Sequence, residues 1–187
     1  NAYLDIQADI AGDAKELKPV FDDSPLANSL GATFAELQLR GPLTSQLQLT
    51  IPLKKDAQVI AEGFAELEGN ELTVRSLKET FTDVSGRVDF RNDVITAEQL
   101  SMQWRDFPVA ITLNSSQREN DYFVDVTAAG NWALQKFEPL VAGEMPWNAA
   151  FNLSLPKQGG YSFRWQQTAN LDGVTVNAPA PLNKDTG

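Results

Sequence analysis

The sequence predicts a mainly β fold, a long antiparallel sheet of about a dozen strands with two short helical segments. Three observations predict it: apolar and polar residues alternate with a period of two along most of the chain, short turn motifs separate the alternating runs, and helix-capping residues occur at two places. A length of 187 residues corresponds to about one domain, and a hydrophobic content of 42% is sufficient for a packed core.

The alternation gives each predicted strand one apolar and one wet face. Buried parallel strands would instead read as continuous apolar runs, so the pattern indicates antiparallel pairing. The apolar positions of the successive runs include Leu4, Ile6, Leu37, Leu39, Leu47, Leu49, Ile51, Val84, Val88, Phe90, Val109, Ile111, Leu113, Tyr122, Val124, Val126, Phe151, Leu153, Leu155, Tyr161, Phe163 and Trp165.

Short polar pairs divide these runs and are typical of tight turns. Gly69-Asn70, Asn92-Asp93 and Arg105-Asp106 each stand between two alternating segments. Successive strands are therefore predicted to be neighbours in a meander.

Two stretches carry helix signals. A capping box at Asp13 and Glu16, followed by Ser24-Pro25, predicts one or two short helices over residues 13–30. Asn131 as a cap and Gly143 as a stop predict a second helical segment over residues 131–143. Trp132 and Trp147 near its ends are interpreted as packing residues. Trp104, beside a predicted turn, is expected to be exposed and to mark an interaction surface.

The two helical stretches occupy matching places in an internal repeat. Ala11-Gly12 and Ala129-Gly130 each end a strand, with the glycines 130 − 12 = 118 positions apart. The prolines that end two later strands, Pro52 and Pro156, are 156 − 52 = 104 positions apart. The chain is therefore predicted to be a single β-rich unit, residues 1–187, with two related repeats at about 1–118 and 119–178 and an extended tail at 179–187.

Composition excludes several functions. The formal charge is 15 − 25 = −10 without clustered cations, which argues against nucleic-acid binding. Without His or Cys, the chain cannot build zinc sites on those residues, thiol nucleophiles or Ser-His-Asp triads. Its closest carboxylate pairs, such as Glu66 with Glu68 and Asp121 with Asp125, are typical of a solvated strand face. We therefore expect no enzyme, cofactor or metal site.

The chain also lacks an apolar run of about 20 residues and a signal-peptide pattern at its start. Because strand-like alternation begins at Tyr3, we interpret it as a piece of a longer protein.

Five ordered motifs resemble a known family. They are Ser24-Pro25-Leu26, the segment from Leu49 to Leu53, the segment from Val84 to Phe90, Phe107-Pro108-Val109, and the ending from Leu171 to Val174 with Pro179 to Lys184. In this order they resemble the periplasmic region of AsmA-like proteins of the YhdP type, in the AsmA/TamB superfamily. The resemblance implies a protein anchored in the inner membrane of a Gram-negative bacterium, with a strongly curled, taco-like β-groove that carries phospholipid through the periplasm to the outer membrane. It implies no catalytic residue.

A sheet of this length has an apolar face that must be covered, because each exposed large apolar side chain forgoes about 1.5–3 kcal/mol of burial. The sheet either closes as a dry sandwich or barrel, or curls into a trough lined for acyl chains. Alternatives from other classes are a secreted β-sandwich that binds carbohydrate and a purely structural envelope spacer. The candidate lipid-lining residues are Leu37, Leu39, Leu47, Leu49, Ile51, Val109, Ile111, Leu113, Phe151, Leu153, Phe163 and Trp165.

Overall fold

A computed structural model describes residues 2–16, 37–54, 59–75, 77–118, 121–136, 138, 140–156, 158–179, 181, 183 and 184. Strands dominate these ranges, as the alternation predicts. Their bounds are β1 Tyr3–Asp13, β2 Leu37–Arg40, β3 Pro42–Pro52, β4 Ile60–Val74, β5 Glu79–Arg91, β6 Val94–Trp104, β7 Phe107–Arg118, β8 Asp121–Ala133, β9 Val141–Ala142, β10 Glu144–Leu155, β11 Ser162–Ala169 and β12 Thr175–Val176.

Ten of these strands form one antiparallel sheet. Its order is β1-β3-β4-β5-β6-β7-β8-β10-β11, and β2 pairs with the part of β4 that extends beyond β3. The short strands β9 and β12 pair separately. The mainly β, antiparallel prediction is therefore confirmed. Within the described residues the sheet is open, with β1 and β11 at its two edges.

Two of the three predicted turns are confirmed and one is wrong. Asn92-Asp93 joins β5 to β6, and Arg105-Asp106 joins β6 to β7. Gly69-Asn70 instead lies inside the continuous strand β4, where the pairing with β5 shifts register on both sides of Asn70. The local sequence is that of a turn, but β5 continues to pair beyond it, and the extra residues form a bulge.

The prediction of a helix over residues 131–143 is wrong. Asn131 lies in β8 opposite Pro146, and Trp132 lies opposite Met145, so pairing with β10 overrides the helical signal. A 3-10 helix covers only Leu134–Lys136, and β9 follows. In the first helical stretch residues 14–16 form a helical turn, while residues 17–30 lie outside the described residues.

The two predicted repeats pair their strands in equivalent registers. Gly12 lies opposite Leu43 in β1 and β3, and Gly130 lies opposite Trp147 in β8 and β10. The offsets are 130 − 12 = 118 and 147 − 43 = 104, which are the two offsets that relate the repeats in the sequence. Both pairs belong to one continuous sheet.

Near the C-terminal end of the described residues, Lys184 forms an antiparallel bridge with Val176. Residues 180, 182 and 185–187 of the predicted tail lie outside the described residues. The Lys184 ammonium donates to the carbonyls of Leu171 (2.6 Å) and Val174 (3.0 Å), and Val174 is buried.

Candidate functional site

The strand registers place one apolar face along the whole sheet. Residues directly opposite each other in an antiparallel pair project from the same face. Leu49 lies opposite Ile6 on one side and Ala61 on the other, so one face can be followed from β1 into β4. Leu113 lies opposite Val126, which continues the same face from β7 into β8.

All twelve sequence-predicted lining residues share this face, which we call the apolar face. Leu37 and Leu39 on β2 lie opposite residues of β4 that belong to this face. Phe163 and Trp165 on β11 lie opposite Leu153 and Phe151 on β10, which also belong to it. The remaining eight lie on β3, β7 and β10, and they are Leu47, Leu49, Ile51, Val109, Ile111, Leu113, Phe151 and Leu153.

Bulges keep the apolar face in phase. Leu67 and Leu72 are five positions apart in the chain, an odd offset, and would lie on opposite faces of a regular strand. The bulge at Asn70 restores the phase, so that Leu72 faces the same side and pairs with Leu39. Asn70 is fully buried, accepts a hydrogen bond from the Glu68 amide (2.8 Å) and donates one to the Arg40 carbonyl (3.0 Å).

Burial along the apolar face falls from its centre to its edges. Val84, Met102 and Val109 in the central strands are buried, and with other residues from β4 to β10 they form one hydrophobic cluster. On the edge strand β11, Phe163 is 62% exposed and Trp165 is 57% exposed. The face is therefore packed in the middle and open to solvent at the sheet edges.

Periodicity alone missed several central members of this face. These are Leu67, Ala97, Leu100, Met102, Phe107 and Trp147, all of them buried. Several adjoin bulges on β4 and β6, where the period of two breaks. A signal that could have found them is pairing with a predicted neighbour, as Met102 pairs with Val109.

One end of the apolar face carries an aromatic cluster, which we call the aromatic rim: Trp104, Phe107, Trp132 and Trp147. Ring centroids are 5.4 Å apart for Trp104 and Trp132, 5.4 Å for Phe107 and Trp132, and 4.7 Å for Trp132 and Trp147. Gly130 permits this packing, because a Cβ there would lie 2.7 Å from Trp147 Nε1. Trp132 and Trp147 are thus packing residues, as predicted.

Charged groups surround the aromatic rim. Trp104 is partly buried rather than exposed as expected, and its Nε1 donates to Glu79 Oε2 (2.9 Å). Arg105 also contacts Glu79 (2.6 Å). The hydrogen bond from Trp104 is the largest effect on the pKa of the Glu79 carboxyl and lowers it; desolvation opposes this, and the contact with Arg105 adds to the lowering. Lys136 Nζ lies 5.4 Å from the Phe107 ring centroid.

The opposite end of the apolar face contains a buried phenol. Tyr122 is 6% exposed, and within the described part of the chain its hydroxyl has no hydrogen-bond partner that meets the usual geometry. Burial raises the pKa of Tyr122, and the nearby Ser115 hydroxyl partly opposes that rise. Ser115 Oγ itself accepts a hydrogen bond from the Ile95 amide (2.6 Å).

The other face of the sheet is polar. Arg87 lies between Glu66 (3.7 Å) and Asp89 (2.8 Å), and Arg91 contacts Glu62 (3.3 Å). A shallow depression of about 540 Å³ crosses β6 to β11, lined mostly by uncharged side chains of this face: Ala110, Thr112, Thr127, Ala129, Asn148, Ala150, Gln166 and Thr168. Charge is thus concentrated on the face opposite the predicted lining.

Among the described residues, no helix has the length and apolar character needed to cross a membrane. In the same ranges, acidic side chains do not gather into a group that could hold a metal ion. Because it continues across the strands of one sheet, the apolar face is the principal functional candidate of the described part of the chain.

Comparison with known proteins identifies the family. The family model described as YhdP protein matches residues 1–187. The chain belongs to the YhdP family. The sequence resemblance is thereby confirmed, and the curated member of the family described next is named as a transporter and not as an enzyme.

A curated YhdP relative gives the comparison in detail. It is the "Intermembrane phospholipid transporter YhdP" of Escherichia coli (strain K12), 33% identical over 189 residues that cover 97% of this chain. The chain spans 15% of the length of that relative. No solved structure matches the chain.

Proposed function

We propose that this chain is a segment of a phospholipid-conducting groove in a Gram-negative envelope, with the apolar face as its lining. The observation that carries the proposal is the continuity of that face: all twelve candidate residues project from one side of a single sheet that runs from β1 to β11. The name of the E. coli relative supplies the substrate class, a phospholipid moved between membranes.

The chemistry of the face suits acyl chains. Each methylene moved from water to an apolar surface contributes about 0.8 kcal/mol, so ten methylenes contribute roughly 8 kcal/mol before the costs of binding. A lining of Leu, Ile, Val and Phe provides no directional polar contact at its centre, so it would hold acyl chains without fixing their position along the groove. Sliding from strand to strand then needs no reactive group.

The shape follows from the need to cover the apolar face. An open twisted sheet of ten strands is at the limit of what stays open without curling, and the aromatic side chains of β11 are exposed. We propose that the sheet curls into a trough, with its polar face outward and its apolar face toward the lipid. The equivalent registers of β1 with β3 and β8 with β10 support a groove built from the two repeats.

The proposed location is the periplasm, with the longer protein tethered to the inner membrane. Envelope membrane proteins are proposed partners at the two ends of the groove. The ion pairs on the polar face, such as Arg91 with Glu62, would keep the outside of the groove solvated.

The test is lipid binding with variants on the two faces. Ile111→Asp and Leu49→Asp place a carboxylate on the apolar face, and their chain neighbours Thr112→Asp and Gln48→Asp place it on the polar face of the same strands. Lipid extracted from each purified chain is quantified by mass spectrometry, and circular dichroism checks that each variant retains its strands.

We expect the two apolar-face variants to lose most bound phospholipid, because an ionised carboxylate is costly beside acyl chains. The two polar-face variants should retain it. Wild-type chain without lipid, or equal lipid in all four folded variants, would refute the lining.

A further inference from the structure

The aromatic rim differs from the rest of the apolar face in its polar atoms. Trp104, at the end of β6, donates its indole N–H to Glu79 (2.9 Å), and Trp132, on β8, donates to the Pro108 carbonyl (3.3 Å). Trp147 is 6% exposed, and its Nε1 has no acceptor among the described residues. A buried donor without an acceptor is unfavourable, so this N–H is available to an acceptor that the protein itself does not supply.

The ammonium group of Lys136 lies over a ring of the same rim. Lys136 is exposed, and its ammonium lies 5.4 Å from the Phe107 ring centroid with the Asp106 carbonyl at 3.4 Å. Among the described residues no carboxylate lies within 4.0 Å of it, whereas neighbouring Arg105 is neutralised by Glu79 at 2.6 Å. The rim therefore combines an apolar indole surface, an unused N–H donor and an unpaired positive charge.

We propose that the aromatic rim binds the ester and phosphate region of a glycerophospholipid, with Lys136 beside the phosphate and the acyl chains running from the rim along the strands. The inference rests on the proposed lipid-conducting function and adds a polar end to the site. Trp side chains favour the boundary between hydrocarbon and polar headgroups, because their rings are apolar and their N–H groups seek acceptors.

The length of the apolar face fits this arrangement. Phe107 and Leu113 are six residues apart on β7, or about 20 Å at 3.3 Å per residue. One acyl chain spans about 15 Å, half the hydrocarbon thickness of a bilayer. Trp165 lies opposite Phe151, four residues along β10 from Trp147, and so about 13 Å deeper than the rim.

These depths make the tryptophans reporters of lipid orientation. Phosphatidylethanolamine brominated at carbons 6 and 7, or at carbons 11 and 12, quenches nearby tryptophan fluorescence. In the full chain with Trp165→Phe, at an exposed position, all remaining tryptophan fluorescence comes from the rim when excitation is selective for tryptophan. The difference between wild type and this variant isolates Trp165.

We expect the 6,7-brominated lipid to quench the rim about twofold more than the 11,12-brominated lipid, with the order reversed for Trp165. Equal quenching by both lipids at both places would overturn the orientation while leaving lipid binding intact. Absence of quenching together with absence of bound lipid by mass spectrometry would overturn both the orientation and the proposed function.

A second arm tests the phosphate contact. Lys136→Gln is compared with Lys54→Gln, an exposed lysine at the other end of the strands, for binding of phosphatidylethanolamine and of diacylglycerol with identical acyl chains. We expect Lys136→Gln to weaken phosphatidylethanolamine binding about two- to fivefold, the range of an exposed ion pair, and to leave diacylglycerol unchanged. An equal effect on both lipids, or an equal effect of Lys54→Gln, would overturn the phosphate contact.

Discussion

Replacement of Asn70 by Ala should destabilise the sheet at the point where β4 changes partners. The Asn70 side chain is fully buried and bridges two backbone groups, accepting from the Glu68 amide and donating to the Arg40 carbonyl. It thereby connects the bulge in β4 to the junction of β2 and β3 at Gly41, whose φ is 105°. Alanine removes both bridges and replaces neither.

The expected cost follows from these two contacts. A buried backbone group left without a partner costs about 1–3 kcal/mol, and two such groups with partial access to water cost about 2–4 kcal/mol together. For a chain of this size each kcal/mol lowers Tm by about 2–4 °C, so the midpoint should fall by roughly 4–16 °C. Urea unfolding followed by circular dichroism measures the free energy, and thermal unfolding measures Tm.

Asn152→Ala is the matched control. Its side-chain amide donates to Asp125 (2.6 Å) on the exposed polar face, so its loss should stay within about 0.5 kcal/mol. A loss for Asn70→Ala that is no larger than the loss for Asn152→Ala would refute the reasoning that the buried bridge stabilises the bulge.

Two further substitutions test the ends of the apolar face. Gly130→Ala places a Cβ 2.7 Å from Trp147 Nε1 and 2.8 Å from the Pro108 carbonyl. It should therefore lower the free energy of unfolding by about 1–3 kcal/mol and weaken the near-ultraviolet circular dichroism of the rim. An unchanged spectrum and stability would contradict that packing. Tyr122→Phe removes a buried hydroxyl without a partner and should leave stability unchanged or raise it by about 1 kcal/mol at pH 7. Because burial raises the pKa of Tyr122, the unfolded chain releases the phenol proton at a lower pH than the folded chain does. Wild type should therefore lose stability relative to Tyr122→Phe as the pH rises above about 10. Parallel profiles of stability against pH for the two chains would contradict this.

Sequence reasoning succeeded where structure depends on neighbours along the chain. Alternation at Leu47, Leu49 and Ile51 predicted a strand with one apolar side, and Asn92-Asp93 predicted the turn after β5. These features need only local backbone preferences and a period of two. Membership of the YhdP family came from motif order in the same way.

It failed where a distant partner decides the outcome. The bulge at Asn70 depends on the Arg40 carbonyl, 30 residues away in the chain. Asn131 has the chemistry of a helix cap, but the pairing of β8 with β10 holds it in a strand. The aromatic rim assembles from four strand ends, so its membership needs the registers and not only the pattern of each strand.

The equivalent registers of the two predicted repeats relate the length of the sheet to the number of copies. Six strand steps separate β1 from β8 in the sheet, and at about 4.8 Å each they advance the sheet by roughly 29 Å. Because both copies pair with the same offsets, insertion of another copy would lengthen the sheet by that increment and preserve its cross-section. In the proposed groove, the number of copies would therefore set the distance that the sheet spans, independently of what any one copy binds.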